Sequence, residues 1–335
     1  MRKIIVFFSL IFVNLLFSPT ISFAETENNI GFTIQAVIPE NQVDKEQSYF
    51  DLRMSPSQEQ IIYVQVINSS SEDIVFKLSV NQAYTNSAGF IDYADPDIEK
   101  DESLKYDISD IASYDSKVEV KANSSVSVPI TLKMPSETFD GVIMSGIQVI
   151  KESSQSSEGI SNKYGYVLGL ILRETDNEIK RELNLISVKP AVSFSKTSVV
   201  ARLQNPTMDA YGHLKYEAIV TNKKTGEVER EVSYDNNMQM APNSFYDFAI
   251  DWNNEALVAG EYTLDLVVSD AKENVWEFSE DFIITKKEAK EINKVTVDKL
   301  AEKDNISIYV IALGAVLVLA IVILTIIIVK KRKNS

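Results

Sequence analysis

From Ser125 to Met134 apolar and polar residues alternate without a break: Val126, Val128, Ile130, Leu132 and Met134 against Ser125, Ser127, Pro129, Thr131 and Lys133. Successive side chains of a strand point to opposite faces, so this alternation dictates a strand with one face on a core and one in water. Ile74, Phe76, Leu78 and Val80 repeat the pattern, as do Tyr262, Leu264, Leu266 and Val268, and then Trp276, Phe278, Phe282 and Ile284. Between such runs stand turn formers: Asn68-Ser69-Ser70-Ser71, Asn222–Gly226 and Asp270–Asn274. Many short strands separated by turns are the signature of sandwiches. Only Ser103–Tyr114 and Lys286–Lys303 read as helical in this stretch. The expected fold class is all-β, with two immunoglobulin-like sandwiches in tandem.

The boundary between the two is expected in Lys151–Lys163, where five serines and a glycine accompany one large apolar residue, Ile160. That composition suits a linker or a long exposed hairpin. The reading is a first domain over residues 29–152, a linker over 153–163 and a second domain over 164–285. The halves resemble distant repeats. Each has a strand ending in an Asn turn, VQVINSSSEDIVFKL and ARLQNPTMDAYGHLKY.

The two ends address the chain to a membrane. Arg2 and Lys3 precede the apolar stretch Ile4–Phe17, and Ser22-Phe23-Ala24 offers small residues for cleavage after Ala24, so residues 1–24 read as a signal peptide. Ile306–Val329 is free of charge and long enough to span a bilayer as a transmembrane helix. Four cations follow in the tail, 330–335, which places that end in the cytoplasm and the remainder outside. The expectation is a single-pass type I protein of the cell membrane, with its ectodomain in the cell wall. Residues 286–305 form a charged stalk without a sortase motif of the Leu-Pro-x-Thr-Gly type.

Composition narrows function. Removing the two cations of residues 1–24 and the four of the tail from the formal charge of −15 leaves −21 on the remainder. Nucleic acid and anionic lipid surfaces need clustered Lys and Arg, so neither is an expected ligand of the ectodomain. The chain has no cysteine and one histidine, His213, which leaves little material for a Ser/His/Asp or Cys/His centre or an imidazole metal site. No cofactor and no catalytic residue is expected. The acidic stretch Asp92–Glu102 lacks the spacing of a calcium loop and reads as solvated. Trp252 and Trp276 read as core. Tyr84, Phe90, Tyr93, Tyr106 and Tyr114 cluster in the least regular part of the first domain. They are candidate ligand-binding residues, fitting a glycan groove or the packing of a long insertion. The Tyr211–Tyr234 stretch and the Met238–Asn243 turn are candidates for an edge at which a partner chain docks.

Phe32–Gln42, Tyr49–Leu52, Asn81–Tyr93 and Met134–Gly146 resemble the N-terminal domain of the WxL-interacting proteins, cell-surface proteins of low-GC Gram-positive bacteria. Tyr164–Leu170, Val188–Pro190, Leu203–Pro206, Met238–Asn243 and Trp276–Phe278 resemble that family's second domain, in order. The resemblance implies a non-enzymatic adhesin or scaffold whose first domain binds peptidoglycan and whose second binds a host ligand such as an extracellular-matrix protein. It also implies a WxL-domain partner. The rival classes are a wall-acting glycan hydrolase, which needs a carboxylate pair, and a surface sensor, which needs more than a six-residue cytoplasmic tail.

Overall fold

The computed structural model describes residues 30–152 and 164–296. Each half is a two-layer sandwich around its own apolar core. The first half comprises β1 (Phe32–Val37), β2 (Phe50–Arg53), β3 (Glu59–Asn68), β4 (Ile74–Gln82), β5 (Tyr84–Thr85), β6 (Ile91–Asp92), a four-residue helix α1 (Ile108–Ile111), β7 (Ala112–Tyr114), β8 (Lys117–Val120), β9 (Ser124–Lys133), β10 (Ile143–Lys151) and β11 (Gly165–Arg173). Its sheets run β1-β3-β9-β7 and β2-β11-β10-β4-β8. The alternating residues lie as expected, with Val128, Ile130 and Leu132 of β9 and Ile74, Phe76, Leu78 and Val80 of β4 all buried.

The second half comprises β12 (Asn184–Ser193), β13 (Lys196–Asn205), β14 (Tyr211–Asn222), β15 (Val228–Met240), β16 (Ser244–Asp251), β17 (Gly260–Ser269) and β18 (Val275–Ile284). Its sheets run β12-β13-β16 and β15-β14-β17-β18. Residues 286–296 form a helix, α2. A capping box starts it: Glu288 accepts from the Thr285 N–H and the Thr285 hydroxyl accepts from the Glu288 N–H. Ala289 and Ile292 pack on the second core, and Asn293 brackets the backbone of Leu257 on both sides. The start of the expected stalk is therefore part of the sandwich.

Three expectations change. Ser103–Tyr114 is helical only over α1, because Ala112–Tyr114 pairs with β9 as a strand. The boundary moves towards the C-terminus, because β11 lies between β10 and β2 and buries Leu170 and Leu172 in the first core. Residues 164–173 thus belong to the first sandwich, and 153–163 joins two antiparallel neighbours of one sheet. The stretch Tyr211–Tyr234 is not an edge as a whole, since β14 lies between β15 and β17. Among the described residues no helix is long and apolar enough to cross a membrane. The apolar run 306–329, the tail and the leader 1–24 lie outside the described residues.

The repeat seen in the sequence has a physical form. Asn68 and Asn205 end equivalent strands and are both buried. Each amide donates to the carbonyl four residues on, Glu72 or Asp209, and to one across the layer, Val120 or Ala241. Each side-chain oxygen accepts from the N–H and hydroxyl two residues on, of Ser70 or Thr207. Asn68 pairs with Ser124 of β9, and Asn205 with Ser244 of β16. Asn123 and Asn243, the residues just before those serines, share a left-handed backbone with φ of 50° and 47°. On this register β3, β4, β8 and β9 correspond to β13, β14, β15 and β16.

Candidate binding site

The halves differ most between β4 and β8. In the second half the equivalent strands are joined by the tight turn 223–227, whereas the first half inserts residues 83–116 there. This insertion contains all five candidate aromatics. Its first part, residues 84–104, forms a strap between the sandwiches.

The strap is fastened on both sides. Towards the second sandwich, the Thr85 hydroxyl lies 2.8 Å from that of Ser244 and accepts from the Ala241 N–H at 3.0 Å. The Gly89 carbonyl accepts from Gln239 N–H at 2.7 Å. Gln204 donates to Asp101 at 2.8 Å, Asn243 to the Ser103 carbonyl at 3.0 Å, and Arg202 reaches Glu99 at 3.3 Å. Gly89, at φ 78°, seats the hairpin tip so closely that a Cβ there would meet Met238 Cε at 2.3 Å. Towards the first sandwich, Asn81 donates to the Tyr93 carbonyl and Gln148 to that of Ala94. The Tyr93 side chain lies over Gly146, whose added Cβ would come within 2.6 Å of Tyr93 Cβ, and Tyr49 covers the paired Gly169.

The five aromatics therefore do not share one groove. Tyr93 is wedged on the outer face of the β10 sheet. Tyr106 packs on Phe139 at 5.3 Å with Lys105 over its ring, and the Tyr114 hydroxyl accepts from the Val80 N–H at 3.0 Å. Both support the first core from the α1–β7 side. Phe90, at the hairpin tip, faces a hollow in the second sandwich. Tyr84 alone opens onto a cleft between the sandwiches. This cleft, of about 250 Å³, is also lined by Asp95, Asp97, Glu99, Asn243 and Phe245. Asn243 and Phe245 come from the other half of the chain; sequence reasoning placed Asn243 in a turn expected to dock a partner chain and did not single out Phe245. The MQMAPN stretch ending at Asn243 was visible, but nothing in it marks a facing strap.

Two groups at the base of the strap have shifted electrostatics. Burial and the nearby Asp92 carboxylate push the Tyr84 hydroxyl above its ordinary value. Burial opposes ionisation of Asp92, but hydrogen bonds from Asn86 and the N–H groups of Ala94 and Tyr93 outweigh it and leave its pKa lowered. Asp92, Asp95 and Asp101 accept from N–H groups of their own turns, and Glu99 and Asp101 reach Arg202 and Gln204 across the halves, so this loop is not simply solvated. Among the described residues no three carboxylate, imidazole or thiol groups are placed to hold a metal ion. His213 is exposed at a bulge of β14, with Nδ1 2.8 Å from Asn237 Oδ1. Trp252 is buried in the second core, and Trp276 stacks on Tyr211 at its margin.

Two family descriptions match this arrangement. "WxL Interacting Protein, peptidoglycan binding domain" matches residues 32–151, and "WxL Interacting Protein, host binding domain" matches residues 155–294. The chain belongs to the WxL-interacting protein family. These matches divide the chain one strand earlier than the sandwiches do, because β11 follows residue 155 yet completes the first sheet. None of the curated proteins compared with the chain matches it. Solved structures with a distant likeness include a chain of the CsuC–CsuE chaperone–tip subunit complex of Acinetobacter baumannii. It is 14% identical, covers 73% of this chain and 97% of its own, and has a TM-score of 0.31. The CupB2 chaperone of Pseudomonas aeruginosa is 15% identical over 68% and 92%, with a TM-score of 0.28. The class 5 fimbriae chaperone CfaA is 13% identical over 75% and 98%, with a TM-score of 0.30. At these scores no argument about this chain rests on them. The family matches make it a surface-binding protein of the adhesin kind, built to act at the cell wall.

Proposed function

We propose that the chain is a non-enzymatic scaffold of the Gram-positive cell surface, built of two immunoglobulin-like sandwiches. In this reading the first sandwich holds peptidoglycan, and the second carries a protein partner, a WxL-domain protein or a host matrix protein. The leader and the apolar run 306–329 make it a type I membrane protein, so attachment to the wall is non-covalent and made by the ectodomain. The observation that carries the reading is the ordered pair of family matches over residues 32–151 and 155–294.

The Tyr84 cleft is the proposed glycan contact. It joins an aromatic ring to carboxylate and amide groups, which is the chemistry that holds sugar hydroxyls. Its volume lies just below the roughly 300 Å³ at which ligand pockets usually begin, so it takes one ring of a glycan strand and leaves the rest outside. The test is co-sedimentation of residues 25–305 with purified peptidoglycan. The unmodified protein is expected in the pellet, and Tyr84→Ala is expected to lower the bound fraction at least threefold with an unchanged circular dichroism spectrum. Absence of the unmodified protein from the pellet overturns peptidoglycan binding, and full binding by Tyr84→Ala moves the contact elsewhere. Release of soluble muropeptides would favour the hydrolase instead.

A further inference from the structure

The register of the repeat shows where the two sandwiches part. In the first, β9 is flanked on its outer side by β7, a strand from the insertion that pairs over Ala112–Tyr114 with Ile130–Leu132. The corresponding edge of the second sandwich belongs to β16, and among the described residues its sheet ends there. The tight turn 223–227 leaves the second half no insertion with which to fill it. Thr85 of the strap covers the Ser244 end only.

The open part of β16 is ready to pair. Trp252, next in line, donates its N–H to Thr197 of β13. Antiparallel strands point alternate residues' backbone groups to alternate sides. Asp247, Ala249 and Asp251 therefore turn their N–H and C=O groups outwards. Beside this edge, between β15 and β16, lies a hollow of about 330 Å³ whose apolar wall is Phe90, Phe194, Tyr234, Met238, Tyr246 and Phe248. It continues the interface between the halves, because Phe90 comes from the strap.

One wall residue is held against its own preference. Phe194 and Ser195 form the two-residue turn of the β12–β13 hairpin, with φ of 48° and 62°. Such turns favour Asn-Gly, and a bulky residue at positive φ is strained. Phe194 is 65% exposed, so no core rewards the strain. Strained positions of this kind gather at binding sites.

We propose that the open edge of β16 accepts an extended segment of a partner protein, which lies antiparallel to it as β7 lies on β9. Its large apolar side chains enter the hollow between Phe90 and Phe194. Its alternate residues are basic, since residues 25–305 carry −21 and Asp251, shared with Lys196, stands in the wall of the hollow. This rests on the reading of the second sandwich as the protein-binding half and names the edge and the chemistry of what it holds.

The experiment uses residues 25–305 and a fluorescent ten-residue peptide alternating valine and phenylalanine with lysine and threonine. A version N-methylated on the pairing side and one of scrambled order are the controls. The alternating peptide is expected to bind and both controls to fail. Phe194→Asn is expected to weaken binding about tenfold, the loss of one aromatic anchor, while raising the melting temperature by relieving the turn. Phe90→Ser is expected to weaken binding similarly. The proposal is overturned if the peptide does not bind, if N-methylation is harmless, or if both variants bind as before. A lower melting temperature for Phe194→Asn would show that the ring serves the fold. A parallel arm with a purified WxL-domain protein separates the two readings. Binding that the peptide does not displace leaves the partner reading standing and removes this site, whereas no binding removes that partner while the peptide still decides the edge.

Discussion

Two buried tyrosines of the second core show how little residue type alone decides. The Tyr211 hydroxyl donates to the Glu182 carbonyl at 2.8 Å, accepts from the Glu182 N–H at 2.9 Å and meets the Thr207 hydroxyl. It fastens the connection between the sandwiches, where Arg181 stacks on its ring and bonds Asp209 and Asp270. The Tyr216 hydroxyl, equally buried, finds no partner among the described residues. Tyr211→Phe orphans backbone groups and is expected to cost about 1–3 kcal/mol, whereas Tyr216→Phe removes an unpaired hydroxyl and is expected to be neutral or stabilising. Urea melts of the two variants check the contrast. Equal losses would contradict it. Alternation alone would put residues five apart on opposite faces, and it is the irregularity of β14 between Tyr211 and Tyr216 that turns both inward. The sequence did not show which hydroxyl would meet Glu182, because that contact depends on how the connection returns over the core. The locks at Asn68 and Asn205 were legible as Asn turns, because their bonds are mostly local.

At the scale of elements, period-two alternation revealed the strands and the turn chemistry separated them. The strap and β11 were not legible, because both are decided by long-range pairing. Gly165–Arg173 reads as a strand in either sandwich, and only the partners β10 and β2 assign it. The acidic run Asp92–Glu102 reads as a surface loop until Asp101 meets Gln204 and Glu99 meets Arg202. The five aromatics were correctly grouped in one insertion, but their side chains serve a cleft, a rim, a sheet face and a core. The strap makes its own prediction. Gly89 lies at positive φ with its neighbours within a methyl group's reach, so Gly89→Val should lift the hairpin tip off Met238 and Tyr246. Limited proteolysis should then cut within residues 84–104 several times faster than in the unmodified protein. An unchanged cleavage rate would show that the tip is not what holds the strap down.

For the whole molecule, a composition without cysteine leaves the fold to apolar packing, and the chain has two such cores, each a separate cluster. What the composition did not announce is that the two cores are bound into one unit, since the strap's hydrogen bonds pair residues more than 100 positions apart. Both proposed sites depend on that union. The Tyr84 cleft takes Asn243 and Phe245 from the second sandwich, and the β16 hollow takes Phe90 from the strap. A wall-bound first half would then present the second half in a fixed orientation. Because the chain has no native cysteine, spin labels can be placed at will, on exposed Ser127 of β9 and Glu280 of β18. Pulsed electron resonance between labels at Ser127→Cys and Glu280→Cys is expected to give one narrow distance distribution, which broadens when Thr85→Val and Gly89→Val are added. A broad distribution in the unmodified background would contradict the account, because two sandwiches that move independently cannot share either site.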